Sequence, residues 1–484
     1  AADTLDAETS RRNAFKSWLS DRAYNTLTNI GYVIFKTAFR ADVRGMEEFN
    51  KVAQQGKPAV IVANHMAHAD PLFIASMLPR TKKKPAFIMH KAVYEAVNKT
   101  LLGRAILNSA DIMPVDVNNP IAVKTMREKL EKGQTVVIFP EGRRTLTGTL
   151  MRSFGGAALA AQKAEAPVIP FYLDGPQYMK LGTEQLPHHP KHWLPKLKMQ
   201  VFASQEIKIP EGLTGKGKKF NDAVRKSSQQ DLEKIMREMP MNAVSDDKTL
   251  MDGLHEAANI YGRDTMAVCE VPQEGKTSKE SCLTYGGLLE KSYGLGDRIA
   301  ERTQPGENVG YLLPTSLGGT VTFWAMQAYR RVPALFNTAA SQAHMESFVT
   351  TAKLKTIVTS RAFVEKAGLQ DKVDALSQKC KILYLEDLKE ETQQFSGLKK
   401  LRIGLLSRGW AELECIGEKS ENGKRGNETA VIPFTSGSTG LPKGVMLSST
   451  NILCNIEQMN AITPLTPGRK VFNAMPLFHS SGLV

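Results

Sequence analysis

Three short apolar runs in the first half of the chain each end at a polar motif, and this arrangement limits the fold more than any other feature. We predict buried strands at residues 58–63 (PAVIVA), 135–139 (TVVIF) and 168–173 (VIPFYL), with helical segments between them. Strands that alternate with helices, and motifs placed at strand ends, are typical of an α/β domain. We therefore expect an α/β fold.

The first motif, NHMAHAD, places His65 five residues before Asp70, whereas the competing base His68 has no carboxylate at that distance. A hydroxyl that attacks an acyl thioester needs a base, and an imidazole oriented by a carboxylate supplies one. Residues five apart on a regular helix diverge by about 140°, so the pair meets only if the chain bends between them. A bend is predicted because a strand ends before His65 and Asp70-Pro71 opens a helix. The simpler alternative is that Asp70 is a helix N-cap and His65 a loop residue.

The second motif, FPEGRRT, places Glu141, Gly142, Arg143 and Arg144 at the end of another predicted strand. Arginine side chains suit a phosphate group, and glycine lets backbone approach closely. NHMAHAD, FPEGRRT and the later VIPF resemble, in order and spacing, the glycerolipid (lysophospholipid) acyltransferase family over about residues 40–210. This resemblance implies that His65 is the catalytic base, that Asp70 is its partner, and that residues 141–144 hold the phosphate of the acceptor.

One stretch departs from that family's pattern. In ADIMPVDVNNP, Asp116 stands where the family usually has an arginine that helps to bind the acceptor's phosphate. We therefore expect Arg143, Arg144 or a lysine to take that role.

The second half of the chain begins a new α/β pattern near residue 250, with strands predicted at 309–313, 356–359, 382–385 and 430–434. A charged helix at 221–238, ended by Pro240, precedes it, so we place a domain boundary at 240–250. The last strand leads into TSGSTGLPKG, whose hydroxyl and unhindered backbone N–H groups suit phosphates. Pro442 stands where a Walker A loop needs glycine, and a flexible linker is the alternative. The candidate phosphate-binding residues are Thr435, Ser436, Gly437, Ser438, Thr439, Gly440 and Lys443.

This loop resembles the phosphate loop of adenylate-forming enzymes, the acyl-CoA and acyl-ACP synthetases. MPLFHSSGL at residues 475–483 resembles their next block and implies that Phe478 and His479 border the acyl or nucleotide pocket, an ordinary packed histidine being the alternative. The resemblance implies ATP and Mg²⁺ as cofactors of this module and none for acyl transfer. Such enzymes continue well beyond this point, with the Mg²⁺ site among the later parts. We therefore expect an incomplete module with weak or absent adenylation.

Positive charge is concentrated in the first half of the chain. Residues 1–240 hold 36 Lys and Arg against 23 Asp and Glu, or +13, and residues 241–484 hold 27 against 26, or +1. This indicates an anionic partner, and without a nucleic-acid-reading motif we expect phospholipid or an acidic protein rather than nucleic acid. Residues 24–40 are predicted to form an amphipathic helix that lies on a membrane surface or packs on its own domain. The five cysteines form no C-x-x-C pair, so we predict no metal site and no disulfide framework.

The order of the two modules is similar to that of bifunctional enzymes of bacterial inner membranes that join an acyltransferase to an acyl-[acyl-carrier-protein] synthetase. It implies an amphipathic segment at 1–40, an acyltransferase domain at 41–240 and an incomplete AMP-binding domain at 250–484. The implied reaction moves a fatty acyl group from acyl-ACP to the hydroxyl of a lysophosphatidylethanolamine-type lipid at the cytoplasmic face. Implied partners are acyl carrier protein, lysophospholipid, an anionic membrane surface and a fused or separate lysophospholipid transporter. The alternatives are an acyl-CoA-dependent acyltransferase whose second module is a docking scaffold, and a non-catalytic scaffold.

Overall fold

The computed structural model describes residues 2–80, 83–116, 121–215, 217–270, 281–409, 424–435, 442–463, 467–473 and 475–479. The chain divides into two compact units, Ala1–Ala243 with Glu457–Arg469, and Val244–Ile456 with Lys470–Val484. Both units are α/β, which confirms the predicted fold class.

The first unit is built on a seven-stranded sheet. Its strands are β1 (Asp42–Arg44), β2 (Val60–Ala63), β3 (Ala86–His90), β4 (Asp111–Val115), β5 (Val136–Ile138), β6 (Val168–Asp174) and β7 (Lys198–Val201). Their spatial order is β1-β7-β6-β2-β5-β3-β4, and only the β6–β7 pair is antiparallel. The helices are α1 (Ala2–Thr37), α2 (Met46–Gln54), α3 (Asp70–Met77), α4 (Lys91–Asn98), α5 (Leu101–Ser109), α6 (Ile121–Glu131), α7 (Gly156–Lys163) and α8 (Lys218–Asn242).

The central strand β2 is buried on both faces of this sheet. Val60 and Val62 pack into one hydrophobic cluster, and Ile61 and Ala63 pack into another. A strand covered on both sides has a continuous apolar sequence, which is why VIVA shows no alternation. Because β2 runs parallel to β5 and β6, the segments that follow these three strands meet at one edge of the sheet.

Helix α1 packs on the first unit with one side only. At its contact with α3, a Cβ added to Gly31 would lie 2.2 Å from Ser76 Oγ, so a larger residue there would force the Ser76 side chain to move. Phe35 is buried, whereas Val33 and Ile34 are exposed. The helix therefore packs on its own domain and also presents apolar side chains to solvent. None of the described helices has the length and apolar character needed to cross a bilayer.

The second unit contains another mixed sheet and a small hairpin. Its strands are β8 (Met266–Glu270), β9 (Ser281–Thr284), β10 (Asn308–Tyr311), β11 (Val332–Leu335), β12 (Thr356–Thr359), β13 (Lys381–Tyr384), β14 (Thr429–Thr435), β15 (Lys443–Gly444) and β16 (Leu447–Ser448). The sheet order is β13-β12-β10-β11-β14-β15, with β16 also pairing with β14, and β8 pairs with β9. The helices are α9 (Leu250–Tyr261), α10 (Tyr285–Ala300), α11 (Leu317–Ala328), α12 (Gln342–Thr351), α13 (Arg361–Lys366), α14 (Gln370–Ser377), α15 (Leu385–Gln393) and α16 (Gly397–Ser407). Helix α17 (Ser449–Ile462) begins in this unit, and its residues from Glu457 onward belong to the first unit.

Two predicted elements differ in the structure. Helix α8 does not end at Pro240 but continues to Asn242, because the buried Pro240 ring lies in the last turn and its missing N–H removes one helical hydrogen bond only. The more polar sequence at 197–209 predicts a strand pair, but the structure has a single strand there, β7, followed by an isolated bridge between Val168 and Gln205. The charged side chains of Glu206 and Lys208 point to solvent, so this stretch gains little from further pairing.

The sequence predicts no disulfide framework, but the structure contains one disulfide. Cys269 and Cys282 are directly opposite each other on the antiparallel strands β8 and β9 and form a disulfide. The pairing joins neighbouring strands, which a search for C-x-x-C spacing does not detect. Cys380 and Cys454 take no part in this disulfide.

Candidate functional site

His65 and Asp70 meet where β2 gives way to α3. His65 Nδ1 lies 3.0 Å from Asp70 Oδ2, and the same oxygen accepts hydrogen bonds from the backbone N–H groups of Met66 at 2.6 Å and Ala67 at 2.8 Å. Asp70 is fully buried. The cap position of α3 is Ala69 and has no side-chain cap, so the N-cap alternative for Asp70 is wrong. The carboxylate instead folds the loop back and orients the imidazole.

The other side of the imidazole faces a cavity. The ring stacks on Phe139 with centroids 4.2 Å apart, and the His65 side chain is 18% exposed. Among the described residues, none makes a hydrogen bond with Nε2. With Nδ1 facing a carboxylate, the neutral tautomer leaves Nε2 as a proton acceptor. The pair therefore has the geometry of a general base.

The cavity beside His65 is large and mainly apolar. Its volume is about 1250 Å³, more than a small polar substrate needs. Helices α1, α3, α4 and α5 supply much of the wall, with Leu27, Leu72, Val93, Val97 and Ile106 among the lining side chains. A base on the wall of an apolar cavity suits a substrate with a long hydrocarbon chain.

The backbone of His65 is fixed by the loop that follows β5. The His65 N–H donates to Glu141 Oε1 at 3.0 Å, and the His65 carbonyl accepts from the Thr145 N–H at 2.8 Å. The Met151 N–H donates to Glu141 Oε2 at 2.9 Å. The structure therefore gives Glu141 a role other than the predicted phosphate contact. Its carboxyl group is buried, and that burial raises its pKa to about 8 against the effect of the two backbone donors.

Asn64 fixes the same loop from the β6 side. Its Nδ2 donates to the Leu173 carbonyl at 2.8 Å, and its Oδ1 accepts from the Leu173 N–H at 2.7 Å. The side chain is fully buried, so both bonds are shielded from water. Sequence reasoning passed over Asn64 and Thr145. A polar residue directly after four apolar strand residues was the available signal for Asn64.

Three arginines stand near the cavity, and they differ in their contacts. Arg144 is held by the segment after β6, donating to the Gly182 carbonyl at 3.0 Å and to Gln185 Oε1 at 2.7 Å. Arg143 and Arg152 line the cavity, are exposed, and have no ion pair in the described part of the chain. Gly142, also on the wall, has a left-handed φ of 68°. The guanidinium groups available to an anion are thus Arg143, which was predicted, and Arg152, which was not.

His68 also lines the cavity but has no carboxylate aligned with it. Its backbone N–H donates to the Gly182 carbonyl at 3.1 Å. Desolvation and the neighbouring Arg144 lower the pKa of His68. Its neutral form is therefore favoured near pH 7, without the partner that orients His65.

The candidate ATP-phosphate site is described only at its ends. Thr435 is the last residue of β14 and pairs across the antiparallel ladder with Lys443 of β15, and both are exposed. Ser436, Gly437, Ser438, Thr439 and Gly440 lie outside the described residues. The hydroxyl of Thr435 and the ammonium of Lys443 thus flank the start and end of the loop, a placement that fits a bound polyphosphate.

The predicted pocket residues Phe478 and His479 have different surroundings. Phe478 is partly buried and packs against the hydrophobic cluster that contains Tyr311. His479 is exposed, and its backbone N–H donates to the Pro476 carbonyl at 2.9 Å. Phe478 therefore has a packing role in the second unit.

Comparison with known proteins divides the chain in the same order. The family model described as "Acyltransferase" matches residues 40–174, and the model described as "AMP-binding enzyme" matches residues 254–484. The first range contains His65, Asp70 and residues 141–144, and the second contains Thr435, Lys443, Phe478 and His479.

Curated relatives match parts of the chain. A probable 1-acyl-sn-glycerol-3-phosphate acyltransferase of Mycoplasma genitalium is 25% identical over 137 residues, 28% of this chain and 50% of the relative. A chloroplastic long-chain-fatty-acid–[acyl-carrier-protein] ligase of Arabidopsis thaliana is 41% identical over 54 residues, 11% of this chain and 7% of the relative. A probable 4-coumarate–CoA ligase 3 of Dictyostelium discoideum is 46% identical over 59 residues, 12% and 11% of the two chains. The chain thus spans half or less of each relative's length.

Two solved structures show a weaker similarity to this chain. VinN with 3-methylaspartate shows 18% identity and a TM-score of 0.38 over 49% of this chain and 57% of the other. ATP-bound MatB from Rhodopseudomonas palustris shows 21% identity and a TM-score of 0.38 over 50% and 42%. Similarity at this level supports no functional statement. From the family models, the chain joins an acyltransferase domain to an AMP-binding domain of the ligase type.

Proposed function

We propose that the first domain transfers a fatty acyl group from a thioester to the free hydroxyl of a lysophospholipid of the lysophosphatidylethanolamine type. The observation that carries this proposal is the His65–Asp70 pair at 3.0 Å, with His65 on the wall of an apolar cavity of about 1250 Å³. The cavity suits hydrocarbon, and the base suits the activation of a hydroxyl.

The residues of the site account for each proton movement. Nε2 of His65 takes the proton of the acceptor hydroxyl as the oxygen attacks the thioester carbonyl carbon. Asp70 stabilises the imidazolium that forms, since its Oδ2 faces Nδ1. The carbon–sulfur bond then breaks, and the imidazolium returns its proton to the departing thiolate. An ester and a free thiol result, and the base is regenerated.

We assign the phosphate of the acceptor to Arg143 and Arg152. These two cavity arginines form no ion pair with other described residues. Arg143 and Arg152 are both exposed at the wall, and a guanidinium group binds phosphate oxygens in a bidentate manner. Gly142 leaves room for the headgroup beside the backbone. Arg144, bonded to the segment after β6, positions that segment and leaves phosphate binding to the other two.

For the second domain we propose ATP-dependent activation of a fatty acid and its loading onto acyl carrier protein. The AMP-binding match over 254–484 and the similarity to an acyl-carrier-protein ligase support this assignment. When bound, ATP with Mg²⁺ would supply the phosphoryl chemistry that activates the carboxylate of the fatty acid. Thr435 and Lys443 are the described residues placed to hold its phosphates.

We further propose that the protein acts peripherally at the cytoplasmic face of a bacterial inner membrane. The excess of 13 positive charges in residues 1–240 supports contact with anionic lipid and with an acidic carrier protein. Exposed apolar residues on α1, such as Val33 and Ile34, support the same location. A lysophospholipid transporter, fused or separate, would deliver the acceptor.

The decisive experiment compares His65→Ala with His68→Ala, using acyl-ACP and lysophosphatidylethanolamine and measuring diacyl product. We expect His65→Ala to lose at least about 1000-fold in rate, because it removes the base, and His68→Ala to lose much less. Full activity of His65→Ala would contradict the mechanism. Running the same assay with acyl-CoA separates the proposed donor from the alternative one, since a faster rate with acyl-CoA would favour a CoA-dependent acyltransferase.

A further inference from the structure

The segment between β6 and β7 exposes three large apolar side chains that the proposed chemistry does not use. Leu181 is 67% exposed, Trp193 65% and Leu194 51%. Together with Lys180 we call these residues the β6–β7 patch. Soluble surfaces carry single exposed apolar residues routinely, but a cluster that includes tryptophan needs a reason.

Backbone hydrogen bonds hold the two arms of this patch side by side. The Lys180 N–H donates to the His192 carbonyl at 2.8 Å, and the His192 N–H donates to the Tyr178 carbonyl at 2.8 Å. The Lys180 ammonium lies 4.2 Å from the centroid of the Trp193 ring. The patch is therefore one formed surface, with a cation placed against an aromatic ring.

The same segment is bonded to the catalytic loop. The Gly182 carbonyl, next to Leu181, accepts from the His68 N–H at 3.1 Å and from Arg144 at 3.0 Å. Gln185 Nε2 donates to the Met66 carbonyl at 3.1 Å. Whatever binds the patch is thereby held at a fixed distance from the His65 loop.

We propose that the β6–β7 patch docks the acyltransferase domain onto an anionic phospholipid bilayer and sets its cavity at the level of the headgroups. Tryptophan and leucine side chains enter the interface, and lysines remain with the lipid phosphates. Residues 178–196 carry Lys180, Lys191 and Lys196 against one acid, Glu184, which is paired with Arg144. The inference rests on the proposed lysophospholipid acceptor, which must leave a bilayer to reach His65.

An anionic bilayer fits this surface better than an acidic protein. Three apolar side chains, each at least half exposed, dominate the patch, and the exposed cations in it and beside it, Lys180 and Lys196, are few. A surface that recognises an acidic carrier protein by charge would need many exposed cations and few exposed apolar side chains. Exposed apolar residues on the cavity wall itself, Leu146 and Phe154, extend the apolar character toward the site.

The test uses the full chain and flotation with vesicles of phosphatidylethanolamine and phosphatidylglycerol, against vesicles of phosphatidylcholine alone. We expect the triple variant Leu181→Ser, Trp193→Ser, Leu194→Ser to bind the anionic vesicles at least about tenfold less well than the unaltered chain. The matched control is Leu398→Ser with Leu401→Ser, which removes side chains of 82% and 60% exposure from α16 of the other unit and should leave binding unchanged.

Fluorescence gives a second, independent measurement. Vesicles should shift the tryptophan emission to shorter wavelength, and Trp193→Phe should abolish most of that shift while binding persists. The proposal would be overturned if vesicles caused no shift of the Trp193 emission. It would also be overturned if the triple variant bound vesicles as well as the unaltered chain, or if the control variant lost as much vesicle binding as the triple variant. So would intact vesicle binding with slower transfer from acyl-ACP only, because that result assigns the patch to the carrier protein.

The vesicle measurements are independent of catalysis. His65→Ala should bind vesicles as the unaltered chain does, so a failure of the acyltransferase proposal leaves the binding result interpretable. In the activity assay, the triple variant should transfer slowly to lysophospholipid presented in vesicles and at the normal rate to a short-chain lysophospholipid dissolved as monomers. Equal loss with both acceptors would contradict docking and indicate damage to the site.

Discussion

Replacing Asp70 with asparagine separates the charge of this residue from its hydrogen bonds. Oδ2 accepts three bonds, from His65 Nδ1 and from the N–H groups of Met66 and Ala67, whereas the buried Oδ1 has no partner among the described residues. In Asp70→Asn the amide oxygen must keep the position of Oδ2, because the amide nitrogen would face two backbone donors there. His65 therefore keeps its tautomer and loses only the negative charge beside it.

The size of the effect follows from that geometry. An imidazolium and a carboxylate about 4 Å apart attract each other by about 4 kcal/mol at an effective dielectric constant of about 20. Only part of the imidazolium charge exists in the transition state, so we expect the activation free energy to rise by about 3 kcal/mol. This rise lowers kcat by about 150-fold. The amide N–H groups placed at the dry Oδ1 position should also lower the free energy of unfolding by about 1–3 kcal/mol.

The assay is the release of free thiol from an acyl thioester at saturating lysophospholipid, with urea unfolding measured on the same samples. The Asp70→Asn variant should keep more activity than His65→Ala, because its base is still present and correctly oriented. Equal inactivity of the two variants would show that the tautomer is lost and would refute the hydrogen-bond argument. Activity within twofold of the unaltered chain would refute the catalytic pairing itself.

Three further predictions concern the surroundings of the pair. Burial raises the pKa of Glu141 from its ordinary 4.5 to about 8, so the stability that its protonated carboxyl group contributes is fully present below pH 4.5 and is lost as the pH rises through about 8. Urea unfolding from pH 5 to 9 should show this loss in the unaltered chain and not in Glu141→Gln; identical pH dependence would contradict it. Asn64→Ala leaves the buried N–H and carbonyl of Leu173 unpaired and should lower the free energy of unfolding by about 2–4 kcal/mol, whereas a change below about 0.5 would mean that water replaces the side chain. Arg143→Ala should raise the KM for the acceptor about tenfold at unchanged stability, and Arg144→Ala should lower the melting temperature because it breaks bonds to the segment after β6; the reverse pattern would exchange their roles.

In the first unit, the strands that the sequence predicts are those that the fold buries on both faces. β2, β5 and β6 have continuous apolar runs for this reason. The edge strands β1 (DVR) and β4 (DIMPV) are short and partly polar, so their sequence carries little signal and pairing with a neighbour decides their conformation. Strand β11 was missed because Pro333 stands inside it, where proline usually argues against an inner strand.

In the site, spacing was enough to predict that His65 and Asp70 meet, since a strand end and a helix start require a bend between them. The role of Glu141 could not be predicted in the same way. An acid between a proline and two arginines suggests an exposed, charged cluster, and only the packed loops show that its carboxyl group is buried under two backbone donors. Arg152 was missed because nothing in its own sequence neighbourhood indicates that it returns to the cavity wall.

The double hydrogen bond of Asn64 also has a consequence for the order in which the domain matures. Its partner, Leu173, lies 109 residues further along the chain. During synthesis, a chain that has emerged only as far as the FPEGRRT loop has both halves of the base and its support, but nothing for Asn64 to bind. The NHMAHAD loop therefore reaches its final shape only after β6 is added, and a long-range contact of this kind is slow to form. Catalytic competence in this domain is a late event of folding, although its two principal residues are among the first quarter of the domain's chain to be made.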